Sequence, residues 1–144
     1  QWDQRGAGMT YGRSPPAEDE VLTIERMRDD GIALVAYLTQ RFGQRKVILW
    51  GSSWGSILGV HMAKARPDLF HAYLGTSQLV NFRENQRISY ARLLAVVGAS
   101  DDAASMAVLQ GVGEPPWTDP RSFGKVRRVI RKYEAKVTTP APDA

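Results

Sequence analysis

Apolar side chains recur along residues 24–42 at steps of three and four, which is typical of an amphipathic helix packed on one face. Thr23 precedes this run as a candidate N-cap, and Glu25 falls in the first turn, where negative charge is favoured. Gly43 follows the run and is a natural helix stop. The pattern therefore predicts one helix from about Ile24 to Phe42. Its apolar positions are Ile24, Met27, Gly31, Leu34, Val35, Leu38 and Phe42.

The next segments alternate between short apolar runs and a helical pattern. Val47 to Trp50 predicts a buried strand, because a parallel strand covered on both faces reads as a continuous apolar run. Residues 54–66 predict a helix that ends before Pro67, since the residue before a proline is disfavoured in a helix. Ala72 to Thr76 predicts a further strand.

The beginning of the chain adds a strand to this pattern. Trp2 to Gly8 predicts the end of a strand that runs into a glycine turn, and Tyr11 to Glu20 predicts a loop. Strands that alternate with helices indicate a parallel sheet with right-handed crossovers. The fold class expected for residues 1–80 is therefore α/β, with parallel strands and crossover helices.

From about Asn81 the composition changes, and no further strand is predicted. We expect a helical region over residues 81–137, followed by a disordered tail over 138–144, where Pro, Thr, Ala and Asp dominate. Three helices are predicted in this region: Phe82 to Val97, Asp101 to Gln110, and a third, capped by Asp119 or Ser122, that ends near Tyr133.

The composition excludes several classes of protein. The chain has 144 residues, of which 43% are hydrophobic and 24% charged, proportions typical of a globular domain. No apolar run approaches the about 18 residues of a membrane span, and no signal-peptide pattern is visible, so we expect a cytoplasmic protein without a membrane partner. The chain has no cysteine, which excludes disulfides and cysteine metal sites. We expect no metal and no cofactor, and the net charge of +4 does not by itself indicate nucleic acid.

Gly51, Ser53 and Gly55 form a G-x-S-x-G sequence between the predicted strand and the predicted helix. In this setting the sequence is typical of the nucleophile elbow of α/β-hydrolases. The sharp turn forces the serine into a strained backbone conformation that exposes its hydroxyl, and close approach of the chain requires both glycines to lack a side chain. The pattern predicts Ser53 as a nucleophile and the backbone N–H of Trp54 as one oxyanion-hole donor. The alternative is a glycine-rich turn whose Ser53 only caps a helix.

A serine nucleophile needs a base within hydrogen-bond reach. His61 lies two helical turns after Ser53, about 12 Å along the axis, so we expect it to be a partly buried or surface residue. His71 is expected in the loop before the last strand, at the opposite end of the sheet from the turn. The acidic residues after that strand are expected to be helix caps or first-turn residues. They are Asp101, Asp102 and Asp119.

The last predicted helix carries a run of cations with only Glu134 to offset them. Such a run can bind nucleic acid, but a solvated helix face explains it better, and we expect no nucleic-acid partner. The aromatic residues Trp117, Phe123 and Tyr133 either pack in this region or line a substrate pocket. The cations are Arg121, Lys125, Arg127, Arg128, Arg131, Lys132 and Lys136.

Several segments resemble the proline iminopeptidase branch of the α/β-hydrolases. The resemblance covers residues 1–80, and the later helices are consistent with the helical cap of that family. Ser52 departs from the His or Gly that is common before the nucleophile, and Met9-Thr10 replaces a basic residue and a serine. The matching segments are Trp2-Asp3-Gln4-Arg5-Gly6-Ala7-Gly8, Leu22-Thr23-Ile24-Glu25, Gly51-Ser52-Ser53-Trp54-Gly55-Ser56 and Ala65-Arg66-Pro67-Asp68-Leu69-Phe70.

The resemblance implies a serine hydrolase of which this chain holds a part. Residues 1–80 are then a partial hydrolase core, with Arg5 and the glycines after it shaping a loop near the site, and residues 81–137 are part of a helical cap. The acid and the histidine of the triad are implied to follow the cap, and the second oxyanion donor to precede this chain. The chain opens at Gln1 without a methionine, and we expect it to be cut from a longer polypeptide.

The implied activity is release of an N-terminal proline or a similar small residue from a peptide. Glu84 and Glu114 are candidates for the acidic cap residues that hold the free amine of the substrate in related aminopeptidases. An esterase or another small-molecule hydrolase remains an alternative, because the fold does not decide the substrate. A hypothesis of another class is a catalytically silent fragment that associates with a partner or with itself as a homo-oligomer, since a sheet of few strands exposes its edges.

Overall fold

The computed structural model describes residues 1–137, and the side chains of residues 1–134. These residues form two compact units, Gln1–Val80 and a second unit that begins at Asn81. The first unit holds a parallel sheet with helices, which confirms the predicted α/β class. The predicted disordered tail, 138–144, lies outside the described residues. The assignment of the two units to a hydrolase core and a cap stays a prediction.

The first unit alternates helices and strands after an N-terminal turn. The helix predicted from residue 24 is confirmed, because the Thr23 side chain accepts a hydrogen bond from the N–H of Arg26 (3.2 Å) and Gly43 adopts a left-handed conformation with φ 62°. The elements are α1 (Gly8–Arg13), α2 (Ile24–Phe42), β1 (Val47–Ser52), α3 (Trp54–Ala65), a 3-10 turn (Pro67–Leu69) and β2 (Phe70–Thr76).

Strands β1 and β2 are parallel, with Leu49 opposite Tyr73. Helices α2 and α3 cover the face of the sheet that carries Leu49. The core of this unit lies between these helices and the sheet. The predicted strand is confirmed, but its burial on both faces is wrong for Ile48 and Trp50, which are 64% and 70% exposed. The reason is that no described element covers their face. The buried core consists of Val35, Leu49, Leu58, Met62 and Phe70.

The strand predicted at the beginning of the chain is wrong. The described residues form two strands, whereas Gln4 to Ala7 make a turn closed by a 3.0 Å hydrogen bond from the N–H of Ala7 to the carbonyl of Gln4. Helix α1 follows, and it replaces the first part of the predicted loop. The carboxylate of Asp3 accepts the N–H of Met9 (2.8 Å), which gives a partner to a backbone donor at the start of that helix. A strand would need neighbouring backbone groups instead.

The described residues of the second unit form three helices, as predicted: α4 (Phe82–Gly98), α5 (Ala103–Val112) and α6 (Pro120–Val137). The Asp102 and Asp119 side chains accept the N–H groups of Ser105 (3.1 Å) and Ser122 (2.8 Å), which confirms both as caps. The prediction is wrong for Asp101, which precedes the cap of α5. The core of this unit consists of Tyr90, Leu93, Val97, Leu109, Val126, Val129 and Tyr133.

Within residues 1–137, no helix combines the length and the apolar character needed to cross a membrane.

Candidate active site

Ser53 occupies the turn between β1 and α3 in an unusual backbone conformation. Its φ is 51° and its ψ is −120°, a region that residues other than glycine rarely adopt. The side chain is exposed and makes no capping hydrogen bond to α3. The strained turn predicted from the sequence is therefore confirmed, and Ser53 occupies the N-cap position of α3 without a capping bond from its side chain. The assignment of Ser53 as the nucleophile stays a prediction.

Hydrogen bonds on both sides hold the backbone of Ser53 in this conformation. Its N–H donates to the carbonyl of Thr76 (3.1 Å), the last residue of β2. Its carbonyl accepts from the N–H of Ser56 (2.9 Å) and from the Ser56 hydroxyl (2.6 Å). The end of the sheet and the first turn of α3 thus fix the turn, and neither uses the Ser53 hydroxyl.

The two glycines of the turn differ in what surrounds them. A Cβ on Gly51 would strike the backbone carbonyl of Gly55, so the predicted close approach is confirmed at Gly51. A Cβ on Gly55 would meet no described atom within 4 Å. The described residues therefore do not account for a glycine at position 55.

Ser56 supports the turn, although the sequence pattern did not point to it. It is fully buried, and its hydroxyl also accepts the N–H of Leu79 (3.0 Å) while donating to the carbonyl of Ser53. The carbonyl of Ser56 accepts from the Tyr73 hydroxyl (2.9 Å). The available signal was a single small polar residue on the apolar side of α3.

The N-terminal segment is attached both to the turn and to α2. The amide oxygen of Gln4 accepts from the indole N–H of Trp54 (3.3 Å). Arg5 binds Asp30 on α2 with two hydrogen bonds, Nε–Oδ2 at 2.8 Å and Nη2–Oδ1 at 3.0 Å. These bonds raise the pKa of Arg5 and lower the pKa of Asp30. The backbone N–H of Trp54 lies in the first turn of α3, where amides have no partner inside the helix.

Neither histidine of the chain reaches Ser53. His61 is exposed on α3, two turns from Ser53. His71 is exposed as well, but it belongs to β2 and not to the predicted loop. Because the preceding residue Phe70 lies opposite Val47, His71 is at the end of the sheet away from Ser53, as predicted. Among residues 1–134, no cluster of three metal-ligating side chains occurs.

A cavity of about 530 Å³ lies between the N-terminal segment and α2, and Ser53 is not among its lining residues. The charged groups of Arg5 and Asp30 in its wall already bind each other. The lining residues are Trp2, Asp3, Arg5, Met9, Thr10, Ser14, Asp30 and Leu34.

The two candidate acidic residues of the second unit are both exposed, but they differ in their partners. The Glu84 carboxylate accepts two hydrogen bonds from Arg87 (2.9 and 2.6 Å), which lower its pKa. Glu114 forms no ion pair within the described side chains. A cationic ligand would therefore meet an occupied carboxylate at Glu84 and a free one at Glu114.

The aromatic residues of the second unit are divided between its core and its surface. Tyr133 is buried, and the Trp117 ring packs edge-on against Tyr90 with centroids 5.5 Å apart. Phe123 is 43% exposed and forms a tilted pair with Phe82, at 6.4 Å. The packing interpretation is confirmed for Tyr133 and Trp117, whereas the Phe123 ring lies at the surface.

The cations of α6 lie at exposed positions, as expected for a solvated helix face. Arg127 pairs with Glu134 (3.5 Å), and Lys132 pairs with Asp102 (2.5 Å). The side chain of Lys136 lies outside the described residues. The described cations of this face are Arg121, Lys125, Arg127, Arg128, Arg131 and Lys132.

Two comparisons with known proteins bear on this site. A family model described as serine aminopeptidase, S33, matches residues 1–137. A protein of Bacillus subtilis (strain 168), named probable aminopeptidase YbaC, is 34% identical over 116 residues, which are 81% of this chain and 36% of that protein. The chain thus spans about a third of the length of the curated relative that it matches.

Proposed function

Because the chain belongs to the S33 serine aminopeptidase family of the α/β-hydrolase superfamily, we propose that the whole protein is a serine hydrolase that acts through Ser53. The observation that carries this proposal is the conformation of Ser53. Its backbone is held at positive φ by three neighbouring groups, the Thr76 carbonyl and the N–H and hydroxyl of Ser56, while its hydroxyl stays exposed and unused by the helix that it precedes. A strained backbone that exposes a serine hydroxyl is typical of a nucleophile. Within the described residues, neither the strain nor the exposed hydroxyl contributes a contact that stabilises the fold.

The proposed mechanism is acyl transfer. The Ser53 oxygen attacks the carbonyl carbon of the substrate, and a histidine outside this chain takes the hydroxyl proton and passes it to the leaving amine. The backbone N–H of Trp54 and a donor outside the chain stabilise the negative charge on the carbonyl oxygen. Water then attacks the acyl-enzyme and releases the acid. This mechanism uses no metal and no cofactor.

The proposed substrate is a peptide with a free N-terminal proline or a similar small residue. The name of the Bacillus subtilis relative supports an aminopeptidase. Of the two candidate residues for the free amine, Glu114 suits the role better, because the carboxylate of Glu84 already binds Arg87.

A fluorophosphonate probe, which labels activated serines, tests the nucleophile. We expect the whole protein to be labelled, Ser53→Ala to abolish the labelling, and Ser52→Ala to preserve it. Ser52 is the matched control, because it is the exposed serine next to Ser53. Equal labelling of Ser53→Ala and the unmodified protein would show that the nucleophile is another residue.

The same preparations separate an aminopeptidase from an esterase. Substrates with the same leaving group and a proline, alanine or leucine acyl group are compared with their N-acetylated forms and with a simple acetyl ester. An aminopeptidase loses most of its kcat/KM when the amine is acetylated, with proline or alanine the best residue. Hydrolysis of the ester with no dependence on a free amine would favour the esterase.

A further inference from the structure

Gln86 on α4 is a buried side chain whose polar atoms have no partners. It is 4% exposed, and neither its amide nitrogen nor its amide oxygen has a hydrogen-bond partner among the described residues. The other buried polar side chains of residues 1–134, Ser56 and Ser105, are both hydrogen-bonded. Leaving a buried donor and a buried acceptor unpaired is costly. This amide therefore calls for an explanation that the fold of the second unit does not provide.

Two aromatic pairs flank Gln86 along α4. Phe82, Gln86 and Tyr90 are spaced four residues apart and share one helix face. Phe82 pairs with Phe123, and Tyr90 pairs with Trp117. Gln86 thus lies on the helix face between the two pairs.

The hydrogen-bond donors of the inner pair are already used. The Tyr90 hydroxyl, whose pKa is raised by burial, donates to the carbonyl of Leu109 (2.9 Å). The indole N–H of Trp117 donates to the carbonyl of Gly113 (3.0 Å). Neither group can therefore donate to the Gln86 oxygen without breaking a bond that it already makes.

The outer pair lies at the surface of the unit. Phe82 and Phe123 are each 43% exposed, and neither belongs to the buried core of this unit. Side chains on a helix lean towards its N-terminus, so the Gln86 amide extends towards Phe82.

We propose that the Gln86 amide binds a peptide group of a ligand whose apolar side chain enters between Phe82 and Phe123. A carboxamide offers both donors and an acceptor, which match the C=O and N–H of a peptide group. The two rings supply an apolar surface for the neighbouring side chain, and the absence of a charge on Gln86 disfavours a charged group at that point. The choice of a peptide as ligand rests on the proposed aminopeptidase function.

The test compares the binding of two probes to the whole protein carrying Ser53→Ala. One probe is the dipeptide amide Ala-Leu-NH2, and the other is its depsipeptide analogue, in which an ester oxygen replaces the N–H between the two residues. We expect the dipeptide to bind about tenfold more tightly than the ester, because the ester leaves the Gln86 oxygen unpaired. Mass spectrometry checks that both probes stay intact.

Gln86→Met removes the amide and nearly conserves the volume. We expect this variant to bind the two probes within about twofold of each other and to unfold at a higher temperature, because two unpaired buried atoms are gone. Gln110→Met, at an exposed position on α5, is the control and keeps the preference. An unchanged preference in Gln86→Met, or no binding of either probe to the parent protein, would overturn the proposal.

A second measurement needs no variant at position 86. The side-chain NH2 resonances of Gln86, assigned through bonds by NMR, should shift on addition of the dipeptide and move much less with the ester; resonances that stay in place with both probes would contradict the proposal. Because these readouts are binding and not turnover, they are independent of the nucleophile. If the parent protein is not labelled by the fluorophosphonate but still prefers the dipeptide over the ester, the nucleophile proposal fails and the Gln86 proposal stands. If Ser53 is labelled but the preference for the dipeptide is absent, the Gln86 proposal fails and the nucleophile proposal stands.

Discussion

At the scale of the residue, the two glycines around Ser53 show that one sequence pattern can contain two different requirements. Gly51 is enforced by the backbone of the following turn, since a Cβ there would strike the carbonyl of Gly55. Gly55 has no described neighbour that excludes a methyl group. The pattern G-x-S-x-G requires glycine at both positions, whereas the structure shows a steric reason for it only at Gly51.

We therefore predict opposite effects of alanine at these two positions. Gly51→Ala should destabilise the protein by about 1–3 kcal/mol, the usual cost of overpacking, because rigid backbone cannot move aside. Gly55→Ala should leave stability unchanged or raise it slightly, since alanine is the better helix former. Thermal or denaturant unfolding of the two variants measures the difference. Equal stability of the two variants would contradict the geometry of the turn.

The sequence predicted the conformation of Ser53 but not the residues that support it. The conformation follows from a local signal, because a strand, a glycine and a helix meet within a few residues. The Ser56 hydroxyl, which supports the Ser53 carbonyl, is itself bonded by the N–H of Leu79. In the second unit, and independently of Ser53, Gln86 lies between rings paired with Phe123 and Trp117. Such roles depend on contacts between residues far apart in sequence, and a local pattern does not contain them.

At the scale of the element, the helices were predicted well because their ends are set locally. Thr23, Asp102 and Asp119 each cap a helix by accepting an N–H three residues later. The strands were predicted less well, because a strand is defined by its neighbours. The N-terminal segment reads like the end of a strand, yet no described strand pairs with it, and one face of β1 is uncovered.

The cap of α5 provides a prediction about pH. The carboxylate of Asp102 accepts hydrogen bonds from Lys132, from Ser105 and from the Tyr133 hydroxyl, and these bonds hold its pKa well below the ordinary range. We expect Asp102→Asn to lower the unfolding temperature at neutral pH by several degrees. Asp101→Asn, at the exposed neighbouring position, should have little effect.

The sign of the pH dependence follows from the lowered pKa. A carboxyl group whose folded-state pKa is depressed contributes its full stability above the unfolded-state value, about 3.9, and loses it as the pH falls through the folded-state pKa. The difference in unfolding temperature between the parent protein and Asp102→Asn should therefore be largest at neutral pH and shrink below about pH 4. A difference that grows on acidification would contradict this assignment.

At the scale of the whole molecule, the sheet of the first unit leaves one apolar face uncovered by described elements. Ile48, Trp50 and Leu74 are 64%, 70% and 55% exposed. Trp50 and Leu74 are partners in the parallel register, so they lie side by side. Apolar faces and open strand edges of this kind promote association.

We predict that the chain of residues 1–144, prepared alone, self-associates. Trp50→Lys should shift the equilibrium towards the monomer, because it places a charge on the uncovered face. Tyr37→Lys is the control, since Tyr37 is 60% exposed on α2 and not on the sheet. Sedimentation equilibrium measures the mass of each form. A monomer at all concentrations with a single cooperative unfolding transition would exclude this association.

At Ser53 the residue that would be most stable differs from the residue that the proposed reaction needs. Its φ of 51° with ψ of −120° is easily reached by glycine and costs serine about 1–3 kcal/mol. Ser53→Gly would relieve that cost and delete the hydroxyl in the same step. Engineering guided by heat resistance alone would therefore choose this substitution early, and under the proposed mechanism the more durable protein would be an inactive one.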